Sequence, residues 1–294
     1  MRSRVKCRAG ADLMAQHLTF VHFSDTHIVR PGVSVRDVDT CETLRRVVDA
    51  VNRLDPAPAF VVIGGDLVSP DIAPDVKAGV RTLTTDDYEL AYETFQGIVK
   101  DLAVPVHFAL GNHDRRVPFR RVVLSEPTSI DEPRPYAFEA GDYRVCVLDS
   151  LDPGKNPGYL REAQLAWLRA QLRDHPGRPT ILVLHHHAVP VGVRWLDEQM
   201  LIDADELWSV VREAGNVRAV LCGHVHLRHE AVRDGVAVYT TPSTCFQISK
   251  ESDERKFFPG PPAFRLVRCD ARGVSSDVVP VWAGAGRGVD GLAG

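Results

Sequence analysis

The spacing of apolar residues changes repeatedly along the chain and divides it into alternating strands and helices. Leu18 to Phe23 is a mainly apolar run of strand length. In Thr40 to Leu54, Leu44, Val47, Val48 and Val51 recur with the 3.6-residue period of a helix. Ala59 to Ile63 predicts the next strand, residues 86–102 a second helix with Leu90, Phe95 and Ile98 toward the core, and Val104 to Leu110 a third strand. Tyr136 to Ala140 and Tyr143 to Leu148 then flank Gly141-Asp142, the pattern of an antiparallel hairpin. Beyond it, Glu162 to Arg173 reads as an amphipathic helix (Leu165, Leu168, Leu172), Thr180 to Leu184 as a strand, Ala204 to Ala214 as a helix and Val217 to Cys222 as a strand. From Glu230 to Thr240, then Ala263 to Val267 and Val274 to Val281, strands alternate around turns such as Arg233-Asp234-Gly235.

Strand–helix alternation at both ends, with hairpins between, predicts an α/β fold: two mixed sheets packed face to face with helices outside, four layers in the order α-β-β-α. The expected organisation is a flexible extension at 1–16, one domain at 17–282, and a flexible glycine-rich tail at 283–294. No internal repeat or low-complexity tract is present. The loops Ser69 to Thr85 and Leu151 to Tyr159 are candidate lids.

Composition narrows the partners. Of 294 residues, 44% are hydrophobic and 25% charged, with a formal net charge of −4, an ordinary globular balance without the basic excess of a nucleic-acid binder. A small anionic substrate must then be held by metals instead of a basic surface. No run approaches the roughly 18 apolar residues needed to span a bilayer, so no membrane partner is expected. Met1 to Gln16 is mildly basic but has no apolar stretch of a secretory signal, and Met14 offers an alternative start. A cytoplasmic protein is expected. Six cysteines (Cys7, Cys41, Cys146, Cys222, Cys245, Cys269) lack Cys-x-x-Cys spacing and sit mostly in apolar segments, which reads as buried free thiols.

Five short segments carry hard and borderline metal ligands. They are Ser24-Asp25-Thr26-His27, Gly64-Gly65-Asp66, Gly111-Asn112-His113-Asp114, His185-His186-His187 and Gly223-His224-Val225-His226. Most follow a predicted strand directly, where the chain enters a loop and side chains two apart can converge on one ion. Oxygen and imidazole donors without thiolate suit Fe, Mn, Zn or Co. Asp25, His27, Asp66, Asn112, His185, His224 and His226 are the expected ligands of a binuclear site. Two cations about 3.5–4 Å apart need an anionic bridge, which Asp66 can supply. His22 and His107, inside strands, read as packed histidines, and His175 and His229 as surface residues. Arg115 and Arg116 read as an exposed charge pair, and Trp195 as packing or a subunit contact, or a ring for a purine to stack on.

The order Asp-x-His, Gly-Asp, Gly-Asn-His-Asp, His-His and Gly-His-x-His resembles the calcineurin-like metallophosphoesterase superfamily from about Leu18 to Val281. Leu184-His-His-His-Ala-Val-Pro190, Arg194-Trp-Leu-Asp197, Ala204-Asp-Glu-Leu207 and Thr241-Pro-Ser-Thr-Cys245 look like bacterial class III 3′,5′-cyclic nucleotide phosphodiesterases of the cyclic AMP type. The resemblance implies that Asp25, His27, Asp66 and His226 hold one ion, usually iron. Asp66, Asn112, His185 and His224 would hold the other: Mn, Fe or Zn. It further implies that a hydroxide between the ions opens cyclic AMP to the 5′-monophosphate. His113 would assist the leaving 3′-oxygen, Asp114 would orient His113, and Asn112 and His113 would contact the substrate; His186 reads as touching either the substrate phosphate or a carboxylate behind the ligands. Relatives are often dimers, and residues 189–201 are the candidate contact.

The alternative within enzymes is a broader phosphodiesterase or phosphomonoesterase acting on another small ester. A non-catalytic scaffold of the same fold is disfavoured because every ligand position is filled. Ala188, where close relatives more often have proline, and the long Asp- and Thr-rich stretch at 69–87 depart from the pattern. The second bears on substrate choice.

Overall fold

A computed structural model describes residues 18–251, 254–270 and 272–282. The expected extension at 1–16, the tail at 283–294 and Cys7 lie outside the described residues. In chain order the strands are β1 (Leu18–Phe23), β2 (Val61–Gly64), β3 (Val106–Ala109), β4 (Tyr136–Ala140), β5 (Tyr143–Val147), β6 (Thr180–Val183), β7 (Val217–Cys222), β8 (His229–Arg233), β9 (Val236–Thr240), β10 (Gln247–Ile248), β11 (Phe257–Phe258), β12 (Ala263–Asp270) and β13 (Gly273–Pro280). The helices are α1 (Thr40–Asn52), α2 (Pro74–Lys77), α3 (Thr85–Val99), α4 (Arg116–Val122), α5 (Arg161–Asp174), α6 (Arg194–Asp197) and α7 (Ala204–Ala214).

One sheet has the order β13-β12-β1-β2-β3 and the other β4-β5-β6-β7-β9-β8. β1, β2 and β3 run parallel, as do β5, β6, β7 and β9, while β12 and β13 and the edge strands β4 and β8 are antiparallel. Successive side chains alternate between faces, so each sheet feeds two layers of core. Val21 and Phe23 of β1 pack with Leu44, Val48 and Phe95 under α1 and α3, whereas Leu18 and Phe20 meet Val145 and Ile181 between the sheets. On the far side Leu182 and Val220 pack against Leu168 of α5 and Trp208 of α7. The result is the expected four-layer α/β sandwich.

The helices begin where local chemistry allows. The Asp39 carboxylate accepts from the Glu42 amide at 3.0 Å to cap α1, and Thr84 with Asp87 forms a capping box on α3. Gly215, at φ 68°, ends α7 in the left-handed conformation. Leu90 departs from expectation: it is 43% exposed, because Tyr88, Ala91, Tyr92 and Phe95 supply the buried stripe of α3. The expected lid at 69–85 carries α2 and a 3₁₀ turn at Pro70–Ile72, with Ser69 and Pro70 buried. The β10–β11 pair, α4 and α6 are elements too short for periodicity to reveal.

The free edge of β3 lies beside β4. Tyr136 Oη accepts from the Phe108 amide and donates to the Phe108 carbonyl, both at 3.0 Å, standing in for a further strand at that point. All five described cysteines are free and buried, as expected.

Candidate metal centre

Asp25, Asp66, Asn112, His185 and His224 all lie just past the carboxyl ends of parallel strands, the crevice where α/β sheets place ligands. Local backbone conformation brings them together. Asp25 (φ 59°), His27 (46°), Asp66 (50°), His224 (70°) and His226 (49°) are all left-handed. In this conformation, residues i and i+2 of Asp-x-His and His-x-His turn toward one point instead of alternating across a strand. The neighbouring loops hold the strain. The Asp25 amide donates to Gly65 O (2.9 Å) and the His27 amide to Asp66 O (3.0 Å). Ser243 Oγ donates to Asp25 O at 2.7 Å. The His224 amide donates to the Asp25 carboxylate (3.1 and 3.2 Å).

Two groups of donor atoms result. In the first, His226 Nε2 is 3.2 Å from Asp25 Oδ1 and 2.9 Å from His27 Nε2. In the second, His185 and His224 come together with His186, and Nε2 of His185 and His224 is buried with no hydrogen-bond partner, as is Asn112 Oδ1. Asp66 joins them through one oxygen: Oδ2 is 3.9 Å from His27 Nε2 and 3.3 Å from His185 Nε2, while Oδ1 accepts from the His113 amide at 2.9 Å. Leaving three buried polar atoms unsatisfied is costly unless something coordinates them, and oxygen and imidazole donors clustered around a buried carboxylate fit a pair of cations. Asp25, His27, Asp66, His185, His224 and His226 of the expected ligands fall in these groups, joined there by His113 and His186.

The imidazole lone pairs are aimed by partners behind them. His185 Nδ1 donates to Gly64 O (2.8 Å) and His226 Nδ1 to Phe246 O (2.7 Å), which leaves each Nε2 free to coordinate. Ser69 Oγ holds His27 Nδ1 at 2.6 Å, and Phe246 stacks on His27 with ring centroids 5.3 Å apart. Burial lowers the His27 pKa to about 3, keeping it neutral. Burial would raise Asp66, but His185, His113 and His27 hold it well below the carboxylate range. Burial likewise opposes the charge on His185, yet the Asp66 carboxylate wins and raises it to about 9.

His185 therefore carries a proton in the metal-free protein below pH 9, and a cation must displace it. Metal loading at pH 7.5 is expected to release on the order of one proton per chain. Calorimetric titrations in buffers of different ionisation enthalpy measure this release, which should vanish above about pH 10. Equal heats in all buffers would remove His185 from the ligand set.

Gly111 makes the close approach possible. A Cβ there would run into Asp66 Oδ1 and come within 2.7 Å of His185 Nε2. Gly111→Ala is expected to lose at least one of two metal equivalents while keeping native circular dichroism, read by elemental analysis of the folded protein.

His113 and Asp114 differ from expectation. The Asp114 carboxylate accepts from the amides of Gly111 (2.8 Å), Leu67 (3.2 Å) and Val68 (3.3 Å) and from Tyr92 Oη (2.9 Å), so it ties the second and third ligand loops together and does not orient His113. Asp71 takes that part, 2.7 Å from His113 Nδ1. Burial disfavours the imidazolium, but Asp66 and Asp71 prevail and raise the His113 pKa to about 9. His186 is fully buried with both nitrogens engaged: Ser150 Oγ lies 2.8 Å from Nδ1 and Asn156 O 2.9 Å from Nε2. It braces the rings of His185 and His224, 4.9 and 4.7 Å away, and presents no free nitrogen to a phosphate.

Arg116 is not part of an exposed pair. It is 2% exposed and donates from Nε and Nη2 to Asp149, at 2.7 and 3.0 Å. Sequence reading missed Asp71, Ser69, Ser150 and the Arg116–Asp149 pair. Asp71 alone left a trace: it is a carboxylate five residues after Asp66, on the loop that leaves the site.

Residues 18–228 match the calcineurin-like phosphoesterase family. The 3′,5′-cyclic adenosine monophosphate phosphodiesterase CpdA of Pseudomonas aeruginosa is 30% identical over 249 residues, 84% of this chain and 84% of that protein. GpdQ of Arcobacter nitrofigilis, named a probable glycerophosphodiester phosphodiesterase, is 30% identical over 253 residues, 84% of this chain and 86% of its own length. A dimetal phosphatase from Danio rerio shares the fold with a TM-score of 0.63 at 17% identity, covering 90% of this chain and 99% of that one.

Proposed function

The chain belongs to the calcineurin-like phosphoesterase family, and from that premise we propose that it hydrolyses 3′,5′-cyclic nucleotides, cyclic AMP first, to 5′-monophosphates. It is a metal-dependent phosphoester hydrolase with the candidate ligands of a dinuclear centre. The observation that carries the finer reading is the 30% identity to CpdA over most of both chains, together with the Arg194-Trp-Leu-Asp197 and Thr241-Pro-Ser-Thr-Cys245 segments.

Bound at this site, two cations (iron with manganese, iron or zinc) would activate water and neutralise charge on the phosphoryl oxygens. Asp25, His27, Asp66 and His226 would hold one and Asp66, Asn112, His185 and His224 the other. The remaining work falls to the chain. His113, 22% exposed at the mouth, has Nδ1 fixed by Asp71 and so offers Nε2 to the substrate. Below its raised pKa it is protonated and can deliver that proton to the departing 3′-oxygen. The His113 amide meanwhile holds Asp66 Oδ1, so the acid and the carboxylate between the donor groups move as one unit. Asn112 has a buried, unbonded Oδ1 available for coordination.

No helix among the described residues is long and apolar enough to cross a membrane. The free described cysteines support a cytoplasmic enzyme. We include a homodimer formed through residues 189–201, where Trp195 is half-buried.

A second reading, a broader phosphodiesterase for other small esters, is favoured by equal identity to GpdQ. Turnover on metal-quantified protein separates the two. The substrates are cyclic AMP, 2′,3′-cyclic AMP, AMP, glycerophosphodiesters and bis(p-nitrophenyl) phosphate. A kcat/KM for cyclic AMP well above the others is the expected result. Faster turnover of monoesters than of any diester would overturn the cyclic-nucleotide assignment.

A further inference from the structure

A cavity of about 340 Å³ opens on the side of the molecule where the edges of the two sheets meet. Its floor is β3, and Phe119 and Leu124 from the α4 region, Tyr136 of β4 and Val147 at the end of β5 close it. The metal ligands are not among its lining residues. β3 is partly exposed along Val106, His107 and Phe108, and Leu124 at the rim is 40% exposed.

Every charged group around this cavity is already partnered. Arg134 pairs with Glu126 at 2.6 Å, Arg120 donates to the carbonyls of Ile130 (2.6 Å) and Glu132 (2.5 Å), and Asp149 holds Arg116. Tyr136 Oη is spent on Phe108. Arg120 keeps its charge, but both of its terminal nitrogens are engaged on the Ile130 and Glu132 carbonyls, and the other charges are matched in pairs, so a charged ligand would have to break existing contacts. Among the lining side chains, His107 is the polar group with capacity to spare: it makes no side-chain hydrogen bond, and Phe138 lies flat against its ring with centroids 3.5 Å apart. The remaining walls are aromatic and aliphatic faces set by two stiff sheet edges, a shape for flat ring systems.

We propose that this cavity is a second small-molecule site, taking an uncharged, flat aromatic or heteroaromatic compound of one or two fused rings with one hydrogen-bonding group directed at His107. Its position makes it regulatory. Leu110, in the wall, directly precedes Gly111 and Asn112, and Asp149, also in the wall, grips the buried Arg116 two residues after Asp114. An occupant spreading β3 from β5 displaces the stem of the loop that carries Asn112 and His113.

Indole is the probe: it is flat and uncharged, with a single N–H. On metal-loaded protein, ligand-observed NMR is expected to show saturable 1:1 binding that inorganic phosphate does not displace. Leu124→Trp, which fills the mouth from an exposed position, should weaken binding at least about tenfold. His107→Phe, which keeps the stacking and removes the hydrogen bond, should weaken it several-fold. Naphthalene should bind less tightly than indole despite its larger apolar surface. Saturating indole should change kcat on bis(p-nitrophenyl) phosphate in the parent protein and leave that of Leu124→Trp unchanged. Absence of binding, displacement by phosphate, or equal binding in both variants would overturn the site. Binding with unaltered kcat would overturn its regulatory role.

Discussion

Asp66→Ala is expected to yield a folded protein that holds less than one metal equivalent and turns over phosphodiesters at below about a thousandth of the parent rate, since charge neutralisation and water activation both depend on the paired ions. Asp66 is placed between the two donor groups: Oδ2 lies 3.9 Å from His27 and 3.3 Å from His185, nearer to His185 than Asp25 Oδ1 at 4.0 Å, and Oδ1 is held by the His113 amide. Removing it would leave Asp25 alone to screen the repulsion between two cations held by these groups. It also removes the charge that raises the His185 and His113 pKa values, so both rings should titrate lower in the variant. Elemental analysis, turnover and imidazole NMR test the three consequences separately. Full retention of both metals would place the bridge elsewhere.

His113→Ala is expected to bind metal normally and to slow hydrolysis of alkyl diesters by about 10²–10⁴-fold, the usual contribution of a positioned general acid. The loss should shrink for bis(p-nitrophenyl) phosphate, whose leaving group needs no proton. Asp71→Asn supplies the graded control. It keeps the loop shape but weakens the anchor at His113 Nδ1 and lowers the His113 pKa, so the alkaline limb of the pH–rate profile should move to lower pH. If His113→Ala lost metal, or slowed both classes of ester equally, the residue would be a structural support and not a proton donor.

How much of this was legible beforehand depended on range. β1, α1, α5, α7 and the β4–β5 hairpin stood out because each repeats its apolar period several times. Most candidate ligands stand out through their neighbours: glycine before Asp66, Asn112 and His224 marks sharp turns, and paired donors at i, i+2 mark a loop. Leu90 was misplaced because an apolar residue on a helix does not reveal which of two overlapping stripes is buried. Asp114 and Asp71 were harder for a physical reason. A carboxylate beside an imidazole in sequence is a natural guess for its partner, yet Asp114 turns back to collect three backbone amides. The true partner comes from another loop, 42 residues earlier. Arg116 reads as exposed because its mate, Asp149, is 33 residues away in the loop that follows β5 of the other sheet. Long-range pairs of this kind leave no periodic trace.

The left-handed backbone at Asp25, His27, Asp66, His224 and His226 also restricts how the site can change. Besides glycine, asparagine, aspartate and histidine are the residues that tolerate this conformation best, and these same side chains are good oxygen and nitrogen ligands. Geometry and coordination chemistry thus admit nearly the same short alphabet. Exchanges within it, Asp for Asn or His for Asp, alter charge and metal preference without adding backbone strain. Glutamate or cysteine at the same positions would meet backbone strain of about 1 kcal/mol or more before contacting any ion. Drift and redesign at this centre are channelled accordingly: the metal pair can be retuned by swaps among three amino acids, while a soft, thiolate-rich site is closed off by the shape of the main chain.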